Sequence, residues 1–194
     1  AEFHAQTAVE AAVILHRLIK DKIDEINSIE ITTHESAIRI ISKVGELNNP
    51  ADRDHCLQYM VAIALLKGNL TAEDYEDKVA NDKNIDILRE KMIIKEDKRY
   101  SKEYLEPDKR SIANRIQIHF KDGSSTEEVE VEYPIGHKRR REEGIPILEK
   151  KFKENIDITY EKEISKKIYR LCMDQEMLEQ TSVFDFQKLF SKKT

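Results

Sequence analysis

The chain has 194 residues, of which 39% are apolar and 37% charged, and its formal net charge is −5 at pH 7. This composition fits one or two globular domains with a highly solvated surface and excludes an intrinsically disordered chain. The negative net charge argues against nucleic acid as the main partner, and no apolar run approaches the roughly 18–20 residues of a membrane span. Two cysteines, Cys56 and Cys172, are too few for a disulfide framework or for an iron–sulfur cluster held by this chain alone, and they indicate a reducing compartment.

The first part of the chain combines a helix signal with a strand signal. Apolar residues at three- and four-residue spacing predict an amphipathic helix over residues 5–20. Ile29, Ile31 and Thr33 alternate with polar residues, as in a half-buried strand, and a short helix is expected over residues 35–44. The chain lacks an initiator Met and enters a helical pattern within a few residues, so we expect it to be a piece of a longer protein.

The sequence is organised around the stretch from Asn49 to Gly68. Asn49 is a good N-cap, Pro50 suits the first helical position, and Gly68 provides a natural C-terminal stop. Residues 56–66 are apolar nearly all round, which predicts one continuous helix that enters the core. The first turn of this helix is strongly charged. Charged groups at the entrance to a buried helix need partners or a ligand, so this turn is a candidate site.

The middle of the chain carries weaker signals. Thr71 followed by acidic residues predicts the start of a short helix, and a second short helix is expected over residues 85–91. Residues 92–94 suit a strand. The charged segment over residues 95–110 is predicted to be a loop.

The clearest β signal is a hairpin. Apolar and polar residues alternate over residues 112–120 and again over 128–133, with the strong turn pair Asp122 and Gly123 between them. Apolar spacing predicts three further helices around residues 145–155, 164–172 and 184–190. Together the elements predict an α+β fold in which a small antiparallel sheet packs against helices and the last third is helical.

Two groups of polar residues are candidate sites on spacing alone. His55 and Tyr59 are four residues apart and would share one helix face, with Asp52 on the preceding turn. This arrangement suits proton transfer or anion binding, although a helix cap with an internally bonded Tyr explains the same spacing. Arg139 and Arg140 lie in a basic run that suits carboxylate binding through bidentate pairs, although a solvated surface or a nuclear-type signal explains it too.

Four sequence blocks resemble the MmgE/PrpD family, and in particular its members that dehydrate 2-methylcitrate. They are AEFHAQTAVEA at residues 1–11, NNPADRDHC and QYMVA within residues 48–62, LTAEDYED at residues 70–77, and VEYPIGH at residues 131–137. The resemblance runs in order from Ala1 to about Phe152, and the tail after Ile156 matches only loosely.

The resemblance implies a lyase of the methylcitrate cycle in propionate catabolism. Such an enzyme removes water from 2-methylcitrate to give 2-methyl-cis-aconitate, is metal-independent, and uses neither an iron–sulfur cluster nor another cofactor. A relative that acts on another tricarboxylate, such as a cis-aconitate decarboxylase, is one alternative. A lid fragment without catalysis is the other. The implied location is the cytoplasm, or the mitochondrial matrix in a eukaryote.

The resemblance also implies a domain organisation. Family members are about twice this length or more, with an all-helical domain built from the N-terminal half and the C-terminal tail, and a smaller α+β lid between them. Residues 1–135 are therefore expected to be the lid, and residues 136–194 a helical extension that belongs to the all-helical domain. The expected partners are a small tricarboxylate, the N-terminal helical half, and a second copy in a homodimer. Neither nucleic acid nor a membrane is expected.

The site residues come from two kinds of argument. His4 and Tyr59 match catalytic positions of the family and are carried over on the resemblance. Dehydration of a substrate with three carboxylates needs a base, an acid and cationic holders, so further residues are added as substrate-binding candidates on physical grounds. These additions are Arg53, His55, Arg139 and Arg140. Which residue is the acid and which the base stays open at this point.

Overall fold

The computed structural model describes residues 1–191, and the chain divides into two compact units. One covers Ala1–Pro134 and the other begins at Ile135. The fold class is α+β, as predicted: among the described residues helices predominate, and one small four-stranded sheet lies in the first unit. No helix within residues 1–191 is long and apolar enough to cross a lipid bilayer.

The first unit contains seven helices and four strands within its described residues. The helices are α1 (Gln6–Ile19), α2 (Glu35–Ile41), α3 (Pro50–Asp54), α4 (Leu57–Lys67), α5 (Asp77–Ala80), α6 (Lys83–Glu90) and α7 (Lys98–Leu105). The strands are β1 (Ile26–Thr33), β2 (Met92–Glu96), β3 (Asn114–Phe120) and β4 (Val129–Val131). Single 3₁₀ turns occur at Phe3–Ala5, Ile23–Glu25 and Ala72–Tyr75.

The sheet has the strand order β2-β1-β3-β4 and is mixed rather than antiparallel throughout. The hairpin prediction is confirmed: β3 and β4 are antiparallel, with Ile116 opposite Val129, and Gly123 adopts a φ of 86° in the turn. The antiparallel prediction is wrong for β1 and β2, which run parallel with Ile31 opposite Ile94. Helices α2 to α6 connect these two strands, and so long a crossover can return the chain in the same direction.

The core of the first unit is built around α1 and α4. These helices pack against each other, and α1 also packs against β3 and β4. The small side chains of Ala8, Ala11 and Ala12 are fully buried, which allows α4 to approach α1 closely. Every residue from Cys56 to Leu65 is buried. The prediction that this apolar run enters the core is confirmed.

The predicted single helix over residues 50–67 is wrong, because the chain forms two helices with a break between them. His55 (φ −104°, ψ 29°) and Cys56 (φ −124°, ψ 107°) leave the helical region before α4 begins. The break separates an apolar run that is buried on every side from a turn in which Asp52 and Asp54 keep contact with solvent. The burial of Cys56, whose Sγ lies 3.6 Å from the Lys43 carbonyl oxygen, fixes the chain at this point.

The charged segment predicted as a loop is wrong as well. Within residues 95–110 the chain completes β2 and then forms α7, whose N-cap Asp97 accepts a hydrogen bond from the Arg99 backbone N–H. This helix buries only Tyr100 among its residues. Most of its residues are polar or charged, and only Tyr100, Tyr104 and Leu105 mark an apolar face, a pattern too short to predict a helix.

The second unit is helical in its described residues. After a 3₁₀ turn at Lys138–Arg140 it contains α8 (Arg141–Thr159), α9 (Lys162–Met173), α10 (Gln175–Gln180) and α11 (Val183–Phe190). The predicted amphipathic stripe of α9 is confirmed by the burial of Ile168 and Leu171. Helix α10 was not predicted from the sequence.

Candidate functional site

His4 is held by hydrogen bonds at both its backbone and its ring. It lies in the 3₁₀ turn that precedes α1, where it is 7% exposed. The Glu2 carboxylate accepts from the His4 backbone N–H at 2.8 Å and contacts Nδ1 of the ring, also at 2.8 Å. The buried Asn114 donates from Nδ2 to the His4 carbonyl oxygen at 2.9 Å. Glu2 therefore orients the ring, and Asn114 at the start of β3 holds the backbone of His4.

The other side of the His4 ring faces two aromatic side chains. Nε2 lies 3.3 Å from the Tyr104 hydroxyl of α7, and the ring centroid lies 5.3 Å from that of His34. His34 stacks on Tyr104 with a centroid distance of 4.8 Å and an angle of 10°. Glu2, His4, His34 and Tyr104 thus form one group, which we call the histidine cluster.

His34 is a neutral member of this cluster at pH 7. Its side chain is fully buried, and its Nδ1 accepts from the Ala37 backbone N–H at 3.4 Å, as the N-cap of α2. Burial, together with the nearby His4, lowers the pKa of His34 from 6.5 to about 4. The cluster therefore carries no positive charge at His34 under ordinary conditions.

Tyr59 lies on α4 and is bonded internally. It is 2% exposed, its hydroxyl donates to the Asp74 carbonyl oxygen at 2.6 Å, and its ring stacks on that of Tyr75. Burial raises the pKa of Tyr59 to about 12. Asp74 is fixed in turn by a capping box with Thr71 and by an ion pair with Lys67. The Tyr59 hydroxyl thus stays protonated and can act as a hydrogen-bond donor or an acid, but not as a base.

Tyr59 also lines a cleft of about 560 Å³, which we call the arginine cleft because it contains Arg53 and Arg89. Arg53 is 5% exposed, donates to the Tyr75 carbonyl oxygen at 2.6 Å and pairs with Asp77 at 2.7 Å. Arg89 donates to a backbone carbonyl at 2.8 Å and pairs with the Asp86 carboxylate. Two nearly buried guanidinium groups beside a phenol can hold a carboxylate. Sequence analysis missed Arg89 because nothing near it in the chain marks it as special.

His55 does not share a face with Tyr59. The helix break between α3 and α4 removes the four-residue periodicity on which that interpretation depended. His55 is exposed, and its Nδ1 lies 3.5 Å from the Asp54 carboxylate. The shared helix face predicted for the two residues is therefore wrong, and a role for His55 in substrate binding stays a prediction.

Arg139 and Arg140 belong to the second unit, in the 3₁₀ turn before α8. The Arg140 guanidinium pairs with Glu143 in two hydrogen bonds of 2.7 and 2.9 Å. The backbone N–H of Arg139 donates to Nδ1 of His137 at 3.2 Å. Their role in substrate binding stays a prediction. In the part of the chain that the structure describes, no three His, Cys, Asp or Glu side chains are grouped as metal ligands.

The structure thus brings Arg53 and Tyr59 together in one cleft and places His4 in a separate polar cluster of the same unit. These features define an α+β domain with a buried histidine cluster and a cleft lined by two arginine side chains. Sequence comparison identifies the family. Residues 1–175 match the MmgE/PrpD C-terminal domain, and the chain belongs to this family.

The relatives that the chain matches carry related names. It is 52% identical over 193 residues to 2-methylcitrate dehydratase of Escherichia coli (strain K12), covering 98% of this chain and 40% of the relative. It is 58% identical over 159 residues to the mitochondrial 2-methylcitrate dehydratase of Yarrowia lipolytica, covering 80% and 31%. It is 36% identical over 197 residues to the 2-methylcitrate dehydratase-like protein oryR of Aspergillus oryzae, covering 98% and 39%. The chain spans about two fifths of the length of the E. coli relative.

Proposed function

We propose that this chain is the C-terminal portion of a 2-methylcitrate dehydratase, a hydro-lyase that converts 2-methylcitrate to 2-methyl-cis-aconitate. One observation carries the proposal. Nearly the whole chain, 98% of it, aligns at 52% identity with a bacterial protein of that name. The proposed reaction belongs to the methylcitrate cycle of propionate catabolism and uses neither an iron–sulfur cluster nor another cofactor.

The chemistry that the reaction requires is supported by the side chains of the first unit. A base must take a proton from the carbon next to a carboxylate, and an acid must protonate the departing hydroxyl. His4 and Tyr59 are the catalytic candidates. Arg53 is buried beside Tyr59 and is the best-placed holder for a substrate carboxylate. Arg139, Arg140 and His55 remain secondary candidates for the same task.

We further propose that this chain supplies only one wall of the complete site. Residues 1–135 would act as the lid, and residues 136–194 would join an all-helical domain formed with an N-terminal region that the relatives carry. The protein would be cytoplasmic, or located in the matrix in a eukaryote, and would function as a homodimer. The E. coli relative is long enough to contain such a region, because the aligned part is only 40% of it.

A complete protein built by joining the N-terminal region of the E. coli relative to this chain tests the proposal. The joined protein is expected to consume 2-methylcitrate, followed by the ultraviolet absorbance of the new conjugated double bond. The 194-residue chain alone is expected to be inactive, because it lacks the other wall of the cleft. The E. coli protein itself is the positive control.

Three results would contradict the proposal or part of it. A folded joined protein that consumes another tricarboxylate, such as cis-aconitate, but not 2-methylcitrate would favour the decarboxylase alternative. A folded joined protein that is inactive on both would favour a lid without catalysis. Turnover by the isolated chain would show that the catalytic groups lie elsewhere than proposed.

A further inference from the structure

We infer that His4 is the base of the proposed dehydration and that Glu2 is the positioning residue that gives it this role. The inference rests on the proposed function for the reaction itself. Its structural part, the location of one proton on one ring, can be tested without any activity.

The Glu2 carboxylate contacts Nδ1 of the His4 ring. One carboxylate oxygen lies 2.8 Å from Nδ1 and the other accepts from the His4 backbone N–H at 2.8 Å. An ionised carboxylate can only accept hydrogen bonds, so Nδ1 must carry the proton of the neutral ring. The lone pair is then on Nε2. Because Glu2 holds both the backbone and the ring, the imidazole cannot turn to exchange its two nitrogens.

Nε2 of the His4 ring makes a long contact with one hydroxyl group. Its neighbour is the Tyr104 hydroxyl at 3.3 Å, just beyond the usual range for a hydrogen bond to nitrogen. With the lone pair on Nε2, the hydroxyl is the donor in this contact. The lone pair on Nε2 is therefore only weakly bonded, whereas Nδ1 is closed off by Glu2. Tyr104 is thus a further member of the site, and it lies on α7, which sequence analysis missed.

His34 and Tyr59, two other side chains of the first unit, hold their protons differently from His4. In His34, Nδ1 accepts from the Ala37 N–H, so the proton of its neutral ring is on Nε2, the reverse of His4. The pKa of His34 is lowered to about 4 by burial and by His4, so it adds no positive charge beside Nε2. The Tyr59 hydroxyl is a donor to a carbonyl and stays protonated. Of the two catalytic candidates, only His4 is suited to be the base, because the Tyr59 hydroxyl stays protonated.

The proton balance of the reaction follows from this arrangement. Nε2 takes the proton from the carbon next to a carboxylate, the C–O bond breaks, and a carbon–carbon double bond forms. The departing hydroxyl leaves as water with a proton from an acid in the other part of the complete site, because Tyr59 lies in the arginine cleft and not in the histidine cluster. His4 becomes an imidazolium whose charge lies against the Glu2 carboxylate, which stabilises it. The cycle closes when the proton on Nε2 returns to the acid through water.

Imidazole ¹⁵N NMR on the 194-residue chain tests the structural part. At a pH at which the rings are neutral, His4 is expected to carry its proton on Nδ1 and His34 on Nε2, with assignments from His4→Gln and His34→Gln. In Glu2→Gln the His4 proton is expected to redistribute toward Nε2 while the His34 signals stay in place. Finding the His4 proton on Nε2 in the unsubstituted chain would overturn the inference, whatever the variants do.

Kinetics of the complete joined protein test the catalytic part. Glu2→Gln is expected to lower kcat about 10-fold or more with KM nearly unchanged. Glu2→Asp keeps the carboxylate and is expected to recover part of the loss. An active joined protein in which Glu2→Gln has a normal kcat would overturn the role of Glu2. An inactive unsubstituted protein would instead refute the proposed function and leave the tautomer assignment standing.

Discussion

The two units of the chain differ most in how completely they bury their apolar residues. In the first unit every residue from Cys56 to Leu65 is buried, and α1, α6 and the sheet contribute to the same core. The first unit therefore has the continuous core that a stable domain requires.

The second unit has far fewer buried residues. Within residues 135–191 they are Gly144, Ile156, Ser165, Ile168 and Leu171. Large apolar side chains remain exposed, including Ile158 at 86% and Phe184 at 73%. Its helices are held by local contacts such as the hydrogen bond from the Tyr160 hydroxyl to the Phe190 carbonyl oxygen. Amphipathic helices alone therefore do not make a core, because helix stability comes mostly from what covers the apolar face.

The largest expected difference between the units is in amide hydrogen exchange. The amides of α4 should exchange only when the first unit unfolds, whereas those of α11, which has no buried residue, should exchange by local opening. Protection is expected to differ by about 10³-fold or more, measured by mass spectrometry or NMR. Protection of α11 equal to that of α4 would mean that a further surface covers this helix.

A pair of matched substitutions tests the difference in burial between the two units. Ile63→Ala in α4 removes a fully buried side chain and should lower the free energy of unfolding by about 2–5 kcal/mol. Ile158→Ala makes the same chemical change at an exposed position of α8 and should alter it by no more than about 0.5 kcal/mol. Urea denaturation of both variants provides the values. Similar losses in the two variants would contradict the difference in burial.

The free energy of unfolding of the first unit should depend on pH because of His34. Its pKa is about 4 in the folded chain and 6.5 when unfolded, so the unfolded state binds the proton first as the pH falls. The stabilisation is fully present above about pH 6.5 and is lost toward pH 4, by up to about 3 kcal/mol. Urea denaturation at pH 7 and pH 4.5 should show a smaller change in His34→Gln than in the unsubstituted chain. His55→Gln makes the same change at an exposed position of the same unit and is the matched control.

The smallest expected change in the free energy of unfolding comes from removing one hydroxyl group. Tyr59→Phe removes the bond to the Asp74 carbonyl oxygen and should cost about 0.5–1.5 kcal/mol. Tyr160→Phe removes a comparable bond in the less buried second unit and should cost less. In the complete joined protein, kcat of Tyr59→Phe should fall about 10²-fold if the hydroxyl acts in the transition state. A variant that melts early but turns over normally would remove Tyr59 from the catalytic group.

Local patterns in the sequence were sufficient for much of the fold. The spacing of apolar residues predicts α1 and α9, alternation predicts β1 and the β3–β4 hairpin, and the apolar run over residues 56–66 predicts the buried α4. These elements are predictable because neighbouring residues determine which face is apolar. The family resemblance rested on short blocks that include His4 and Tyr59, and the match over residues 1–175 confirms the family. Their catalytic roles remain predictions.

Only the tertiary structure decided the pairing of distant segments. The parallel pairing of β1 with β2, the break at His55 and Cys56, and the position of Arg89 in a cleft beside Arg53 all depend on packing between segments far apart in the chain. The neighbours of His4 show the same division. Glu2 lies two residues away and could be read from the sequence, whereas Tyr104 lies one hundred residues away on a mostly charged helix with a short apolar face. Local propensity contains no information about such a contact, because it arises only when α7 packs beside α2 and the first turn of the chain.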